Sequence, residues 1–161
     1  MKSEIIYYSY SGNTKKVAEC LKEYLSTQGN VDVIALQVLD ESDSFLSQSF
    51  RALRHLRGSI AKTQNDLSAY NLICIGTPVW AFGPSPAVNA YLDACSGLEK
   101  KKVVLFTTYG SGAGRERCLN YMQDILTKKG AIDFKRFSIQ QSKVKDKEFV
   151  LSKIKEALGN C

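Results

Sequence analysis

Three stretches of this sequence combine hydroxyls, glycines and aromatic rings and hold no charged side chain. The first is Ser9, Tyr10, Ser11, Gly12, Asn13 and Thr14, placed between an apolar run of strand length and an amphipathic segment of helix length. A helix start leaves backbone N–H groups without intrahelical partners and carries positive potential. Hydroxyls and amides converging there bind a phosphate dianion without a dedicated cation, and Gly12 lets the backbone approach it. Capping of the helix by Ser11 or Asn13 would account for one polar residue and leave the other hydroxyls unexplained. The turn lacks GxxxxGK[ST] and GxGxxG, which argues against nucleoside triphosphates and against a dinucleotide fingerprint. The second stretch is Gly76, Thr77, Pro78, Val79, Trp80, Ala81, Phe82, Gly83, Pro84, with aromatic faces on a proline-stiffened backbone. The third is Thr107, Thr108, Tyr109, Gly110, Ser111, Gly112, Ala113, Gly114, where glycines expose backbone N–H groups beside one more aromatic ring.

Each stretch follows an apolar run that reads as a strand. The expected strands are Glu4 to Ser9, Val31 to Val38, Leu72 to Gly76, Val103 to Thr108 and Ile132 to Ser138. The third and fourth are nearly continuous in apolar residues, as in a parallel sheet covered on both faces. Helical stripes lie between them on Val17, Leu21, Tyr24 and Leu25, on Val88, Tyr91, Leu92 and Cys95, and on Tyr121, Met122, Ile125 and Leu126. A last one lies on Val150, Ile154, Ala157 and Leu158. This alternation marks an α/β domain, and right-handed crossovers place the helices on both sides of a five-stranded sheet. Residues 40 to 66 fit this frame least well. Phe50, Leu53, Leu56 and Ile60 suggest a crossover helix whose other side carries Arg51, Arg54 and Arg57, a solvated face or an anion contact, with His55 among them as a surface residue.

Composition narrows the chemistry. At 161 residues with 44% hydrophobic content, the chain is expected to build one domain, 1–161, around one sizeable core. Mean hydropathy is −0.19. No apolar run approaches the roughly 20 residues of a membrane-spanning helix, so the expectation is a soluble cytoplasmic protein with no membrane insertion. Cys20, Cys74, Cys95, Cys118 and Cys161 are widely spaced and never form CxxC, which argues against a disulfide framework or zinc site and for buried or idle thiols. With His55 the only histidine, a multi-histidine metal centre and a base for a cysteine nucleophile are both lacking. Residues 1–80 hold 8 basic and 8 acidic side chains, and residues 81–161 hold 14 and 8, so the whole +6 excess is C-terminal. The basic residues come in short groups such as Lys100, Lys101 and Lys102 without interleaved aromatics, which argues against a nucleic-acid partner.

SYSGNT after the first strand resembles the phosphate loop of the flavodoxin family, and GTPVWAFGPSP resembles that family's flavin-ring loop. The resemblance spans Glu4 to Leu158. It implies a three-layer α/β/α sandwich with a five-stranded parallel sheet in the order 2-1-3-4-5, and noncovalent FMN at the strand tips. Flavodoxin itself holds FMN at the switch point between its first and third strands. Residues Ser9 to Thr14 would hold the phosphate. Thr77 to Phe82, with Thr108, Tyr109, Gly110, Ser111, Gly112 and Gly114, would surround the ring, Trp80 giving the largest face. No side chain need act as acid or base, since the flavin carries the chemistry. The function first expected is an electron carrier between a reductase and an acceptor, with a redox partner that docks through an acidic surface. The alternative is an NAD(P)H-dependent reductase of a quinone or other small acceptor. Flavodoxins that act as low-potential carriers are typically acidic, whereas here Lys15, Lys16, Arg115 and Arg117 follow the loops.

Overall fold

The computed structural model describes residues 1–39 and 60–159. Its strands β1 (Lys2–Tyr7), β2 (Asn30–Ala35), β3 (Leu72–Pro78), β4 (Lys102–Tyr109) and β5 (Asp133–Gln140) form one parallel sheet in the order β2-β1-β3-β4-β5. That is the order implied by the resemblance. The helices are α1 (Asn13–Ser26), α2 (Pro86–Ala94), α3 (Arg115–Lys128) and α4 (Lys147–Leu158), with a short 3-10 turn at Gln141–Lys143. Among the described residues no helix is long and apolar enough to cross a membrane.

Alternation along the strands sends side chains to two cores. Ile6, Ile73, Ile75 and Leu105 pack under Val88 and Leu92 of α2 and Leu119 and Met122 of α3. On the other face Ile5, Cys74, Val104 and Phe106 pack under Val17 and Leu21 of α1 and Val150 and Ile154 of α4. This is why β3 and β4 read as unbroken apolar runs: both of their faces are covered. All four helical stripes fall inside observed helices, except that Cys95 is the residue closing α2.

Several strand ends differ from expectation, and pairing explains them. β1 stops at Tyr7 rather than Ser9, because β2 ends at Ala35 and Tyr8 N–H turns to the Gly76 carbonyl (3.1 Å). β2 spans Asn30–Ala35 and does not reach Val38, which forms an isolated antiparallel bridge with Ile60. β3 runs on to Pro78 and β4 to Tyr109, and β5 follows β4 as far as Gln140, paired with Tyr109. Ile60 packs against the first core, while Phe50, Leu53, Leu56, Arg51, Arg54, Arg57 and His55 lie outside the described residues, as does Cys161. Cys20, Cys74, Cys95 and Cys118 are free and buried.

One core position opposes the pattern. Glu4 is 1% exposed on the α2–α3 side of β1, and its Oε2 has no hydrogen-bond partner among the described residues. Burial raises its pKa from 4.5 to about 7; a hydrogen bond with Tyr70 and the charge of Lys2 oppose the rise, and Asp32 adds to it. A carboxyl held protonated more tightly when folded than when unfolded favours folding at low pH. Its contribution is fully present below about pH 4.5 and is lost as pH rises through 7. Glu4→Gln should therefore leave the melting temperature unchanged near pH 4.5 and raise it by several degrees at about pH 8. Parallel pH–stability profiles for the two proteins in thermal unfolding would contradict this.

Candidate functional site

Helices α1 and α3 begin alike, and differently from the other two. Each is preceded by a glycine with left-handed φ, Gly12 (82°) and Gly114 (81°), and neither has a side-chain cap. The starts of α2 and α4 are capped, Ser85 accepting from Val88 N–H and Asp146 from Phe149 N–H. A left-handed φ costs a residue with a Cβ about 1–2 kcal/mol, so glycine suits both positions. Nothing lies within 4 Å of where a Gly12 Cβ would stand. Of the first-turn N–H groups of α1, those of Asn13 and Thr14 are thus left for a ligand at the carboxyl end of β1, while that of Lys15 turns to Ser9.

The hydroxyls around Gly12 have separate tasks. Lys15 N–H donates to Ser9 Oγ and Asn13 Nδ2 donates to Ser11 Oγ, both at 3.1 Å. Each serine oxygen already accepts a bond, and its own proton remains to point at an anion. Thr14 is 1% exposed, and its Oγ1 lies 2.9 Å from Thr108 Oγ1. That bond ties the first loop to the tip of β4.

In the second loop Thr77 is buried, accepting from Ser85 N–H and donating to the Pro78 carbonyl, both at 3.0 Å. It fastens the start of α2 to the end of β3 and does not line the cleft. Trp80 and Gly83 exchange both backbone hydrogen bonds at 2.9 Å around Ala81 (φ 46°) and Phe82 (φ 69°). The turn is a type I′ geometry that usually takes glycine or asparagine. Trp80 reaches the cleft but is only 6% exposed, with Tyr8 and Tyr10 packed edge-on against it at centroid distances of 5.8 and 5.7 Å. The rings with the most open surface around the cleft are instead Tyr10 and Phe82, 47% and 46% exposed. Phe82 lies against Gly114, where a Cβ would come within 2.4 Å of its Cδ1.

The three loops meet. Tyr10, Ser11 and Asn13, then Pro78, Val79 and Trp80, then Thr108, Tyr109, Gly110 and Ser111 line one cleft of about 440 Å3. Ala81, Phe82 and Ala113 border a smaller hollow of about 160 Å3 that shares Val79, Tyr109, Gly110 and Ser111 with it. Ser9, Gly12, Thr14, Thr77, Gly112 and Gly114 are not in either lining; they shape the walls through backbone geometry and the bonds just described. Gln141, which sequence reading missed, completes the larger cleft. It lies beyond the β5 tip and carries no local signal; only the register Tyr109 to Gln140 brings it there. The Arg115 guanidinium sits over the Tyr109 ring, 5.4 Å from its centroid, and donates to the Tyr109 hydroxyl at 3.2 Å.

This donor set fits FMN. An uncapped helix start with two free serine protons suits a phosphate dianion, and neutral walls of aromatic, proline and glycine backbone suit a flat ring with a polar edge. Among the described residues no charged side chain lines the larger cleft. The buried thiols are poor nucleophiles, since burial pushes Cys95 up to about 11 and Cys118 up to about 12.

Solved structures share the fold at low identity. The chain is 22% identical to a flavoprotein from Lactobacillus acidophilus solved in complex with FMN, with 91% of this chain and 98% of that one covered and a TM-score of 0.68. A flavoprotein from Bacteroides uniformis gives 20% identity, 96% and 97% coverage and a TM-score of 0.71. Oxidised flavodoxin 1 from Bacillus cereus gives 18%, 96% and 98%, and 0.63. No curated protein matches the chain. A family model described as NADPH-dependent FMN reductase matches residues 1–143, a span that takes in all three loops. The resemblance to flavodoxins thus holds for the fold and for FMN but not for flavodoxin proper: the chain belongs to the NADPH-dependent FMN reductase family, a flavodoxin-like family that binds FMN.

Proposed function

We propose that this chain is a single flavodoxin-like domain that acts in the cytoplasm as an NAD(P)H-dependent flavin oxidoreductase. Electrons pass from the nicotinamide through FMN to a quinone or other small acceptor. The observation that carries this reading is the family match over residues 1–143. The carrier role expected first from the sequence gains no such support, because the three loops themselves lack the acidic residues typical of low-potential carriers. No Asp or Glu occurs among residues 9–14, 76–86 or 107–114.

FMN, when bound, supplies two-electron transfer between nicotinamide and acceptor. The chain supplies binding and order. Ser9 and Ser11 hold the phosphate with the N–H groups of α1, and Thr14 and Thr108 fix the spacing between the phosphate end and the ring end. Val79, Tyr109 and the Gly110 backbone bound the ring on its apolar and polar sides, and Tyr10 and Phe82 flank the opening. Arg115 at the rim, with Lys15 and Lys16 behind the phosphate loop, raises the local concentration of an anionic nucleotide.

Three outcomes test these assignments. Ser11→Ala removes a hydroxyl donor to a charged acceptor, worth about 1.5–3 kcal/mol, so FMN affinity should fall at least tenfold. Riboflavin affinity should barely move; equal losses for both would sink the phosphate assignment. FMN should also quench the emission of Trp80, the only tryptophan, because that residue borders the cleft. An unchanged spectrum after inner-filter correction would place the flavin elsewhere. Finally, mixing the FMN-loaded protein with NADPH alone should bleach the flavin rapidly, with a second-order rate that falls as salt shortens the Debye length. A flavin that reduces with dithionite but never with NADPH or NADH would return the protein to the class of carriers.

A further inference from the structure

Beyond the flavin cleft lies a larger groove, of about 590 Å3, running along the free edge of β5 between α3 and α4. The two hollows share Tyr109, and Gln140 at the head of the groove donates to the carbonyl of Gly110 in the cleft wall at 3.1 Å. From there Gln140, Ser138 and Arg136 alternate along β5 and so present one polar row on its α3 face. Arg136 is four residues from Gln140, about 13 Å at the rise of a parallel strand. Such a span suits the extended reach from one end of a dinucleotide to the other.

Charge in the groove is unequal. Arg115, Arg136, Lys143 and Lys153 face Glu116 and Glu156. Glu156 is held by Lys153 at 2.6 Å, and Glu116 is shared between Arg115 (3.6 Å) and Arg136 (3.8 Å). One exposed carboxylate between two guanidinium groups leaves a positive charge in excess, and at these distances its hold on either is weak. Arg136 is instead oriented by neutral acceptors: its Nη1 donates to Asn120 Oδ1 at 2.7 Å and to Gln123 Oε1 at 3.3 Å. Amide oxygens fix a guanidinium without cancelling its charge, and the fork that remains suits a phosphate monoester.

We propose that this groove is the subsite for the adenosine half of the donor nucleotide and that Arg136 reads the 2′-phosphate that distinguishes NADPH from NADH. The proposal rests on the reductase reading for its substrate, since a nicotinamide that reaches the Tyr109 side of the cleft leaves its other half over the β5 edge. Arg115, at the junction, faces the pyrophosphate. Arg136 is thus a specificity residue, remote from the reacting ring.

The test uses FMN-loaded protein and 2′,5′-ADP, which carries the 2′-phosphate but cannot transfer electrons. In calorimetric titration it should bind at least tenfold more tightly than 5′-AMP, and inorganic phosphate at the same concentration should not displace it. Arg136→Gln should abolish that difference. Lys135→Gln, which removes the same charge one residue away on the opposite face of β5, should keep it. In steady-state assays Arg136→Gln should raise KM for NADPH at least tenfold with kcat held, so that the preference over NADH collapses. Equal binding of 2′,5′-ADP and 5′-AMP, displacement by phosphate alone, or the same loss in Lys135→Gln would overturn the assignment. The two readings fail separately. A flavin that NADPH bleaches in a protein blind to the 2′-phosphate removes this subsite only. A protein that binds 2′,5′-ADP through Arg136 yet is never reduced by NADPH removes the reductase reading and leaves the subsite standing.

Discussion

The start of a helix leaves backbone N–H groups that must find acceptors, and the site in this protein is organised by leaving the first two of α1, those of Asn13 and Thr14, to a ligand. Gly12 supplies the turn but no capping oxygen, while Ser9 and Ser11 each spend an oxygen on a neighbouring N–H and keep a proton for the ligand. A parallel sheet then places the same end of β1, β3 and β4 on one side of the molecule, so the anion site is flanked by two further loops without any long excursion of chain. The Thr14–Thr108 hydrogen bond sets the distance between these parts. Whichever threonine supplies the proton, the bond braces the first loop against the tip of β4.

How much of this could be read from residue order follows the range of the forces involved. The phosphate loop is local: hydroxyls, glycine and helix start lie within six consecutive residues, so its composition and its place before a helix can be read from residue order alone. The sheet was legible for the same reason, since unbroken apolar runs in β3 and β4 report coverage on both faces. The burial of Trp80 was not legible, because it depends on Tyr8, at the end of a different strand, and on Tyr10 beyond it. A large ring in a neutral loop gives no sign of whether its faces are already taken. Gln141 and the polar row of β5 were invisible for a related reason: only strand register brings them beside Tyr109.

The turn at Ala81 and Phe82 shows local preference yielding to position. Two residues with a Cβ occupy left-handed φ, at about 1–2 kcal/mol each, where Asn-Gly would lie without strain. What the turn achieves is placement. Trp80 is held inward by two backbone bonds to Gly83, and Phe82 is turned outward onto Gly114, whose missing side chain makes the contact possible. Gly114 therefore has two reasons to be glycine: its own φ and the ring above it. Strain of this kind persists only where the surroundings over-determine it, and Pro78, Pro84 and Pro86 on either side restrict the alternatives.

Electrostatics complete the division of labour. The core takes in a carboxyl at Glu4, far from the strand tips, and burial keeps part of it protonated near neutral pH, so it adds less than a full negative charge there. The loops carry no acidic residue, and the cations gather at their outer margins, on the first turns of α1 and α3 and along β5. A ligand that is neutral at its ring and anionic at its ends thus meets surfaces in matching order: free N–H groups and serine protons at the phosphate, uncharged walls along the ring, and guanidinium groups past Tyr109. Since charges separated by more than a Debye length hardly interact in physiological salt, these cations act on whatever lies over the rim and the β5 edge rather than on the molecule as a whole. Lys100, Lys101, Lys102, Lys128 and Lys129 lie at the opposite end of the sheet, so the C-terminal excess of basic residues reaches the site chiefly through where Arg115 and Arg136 are held.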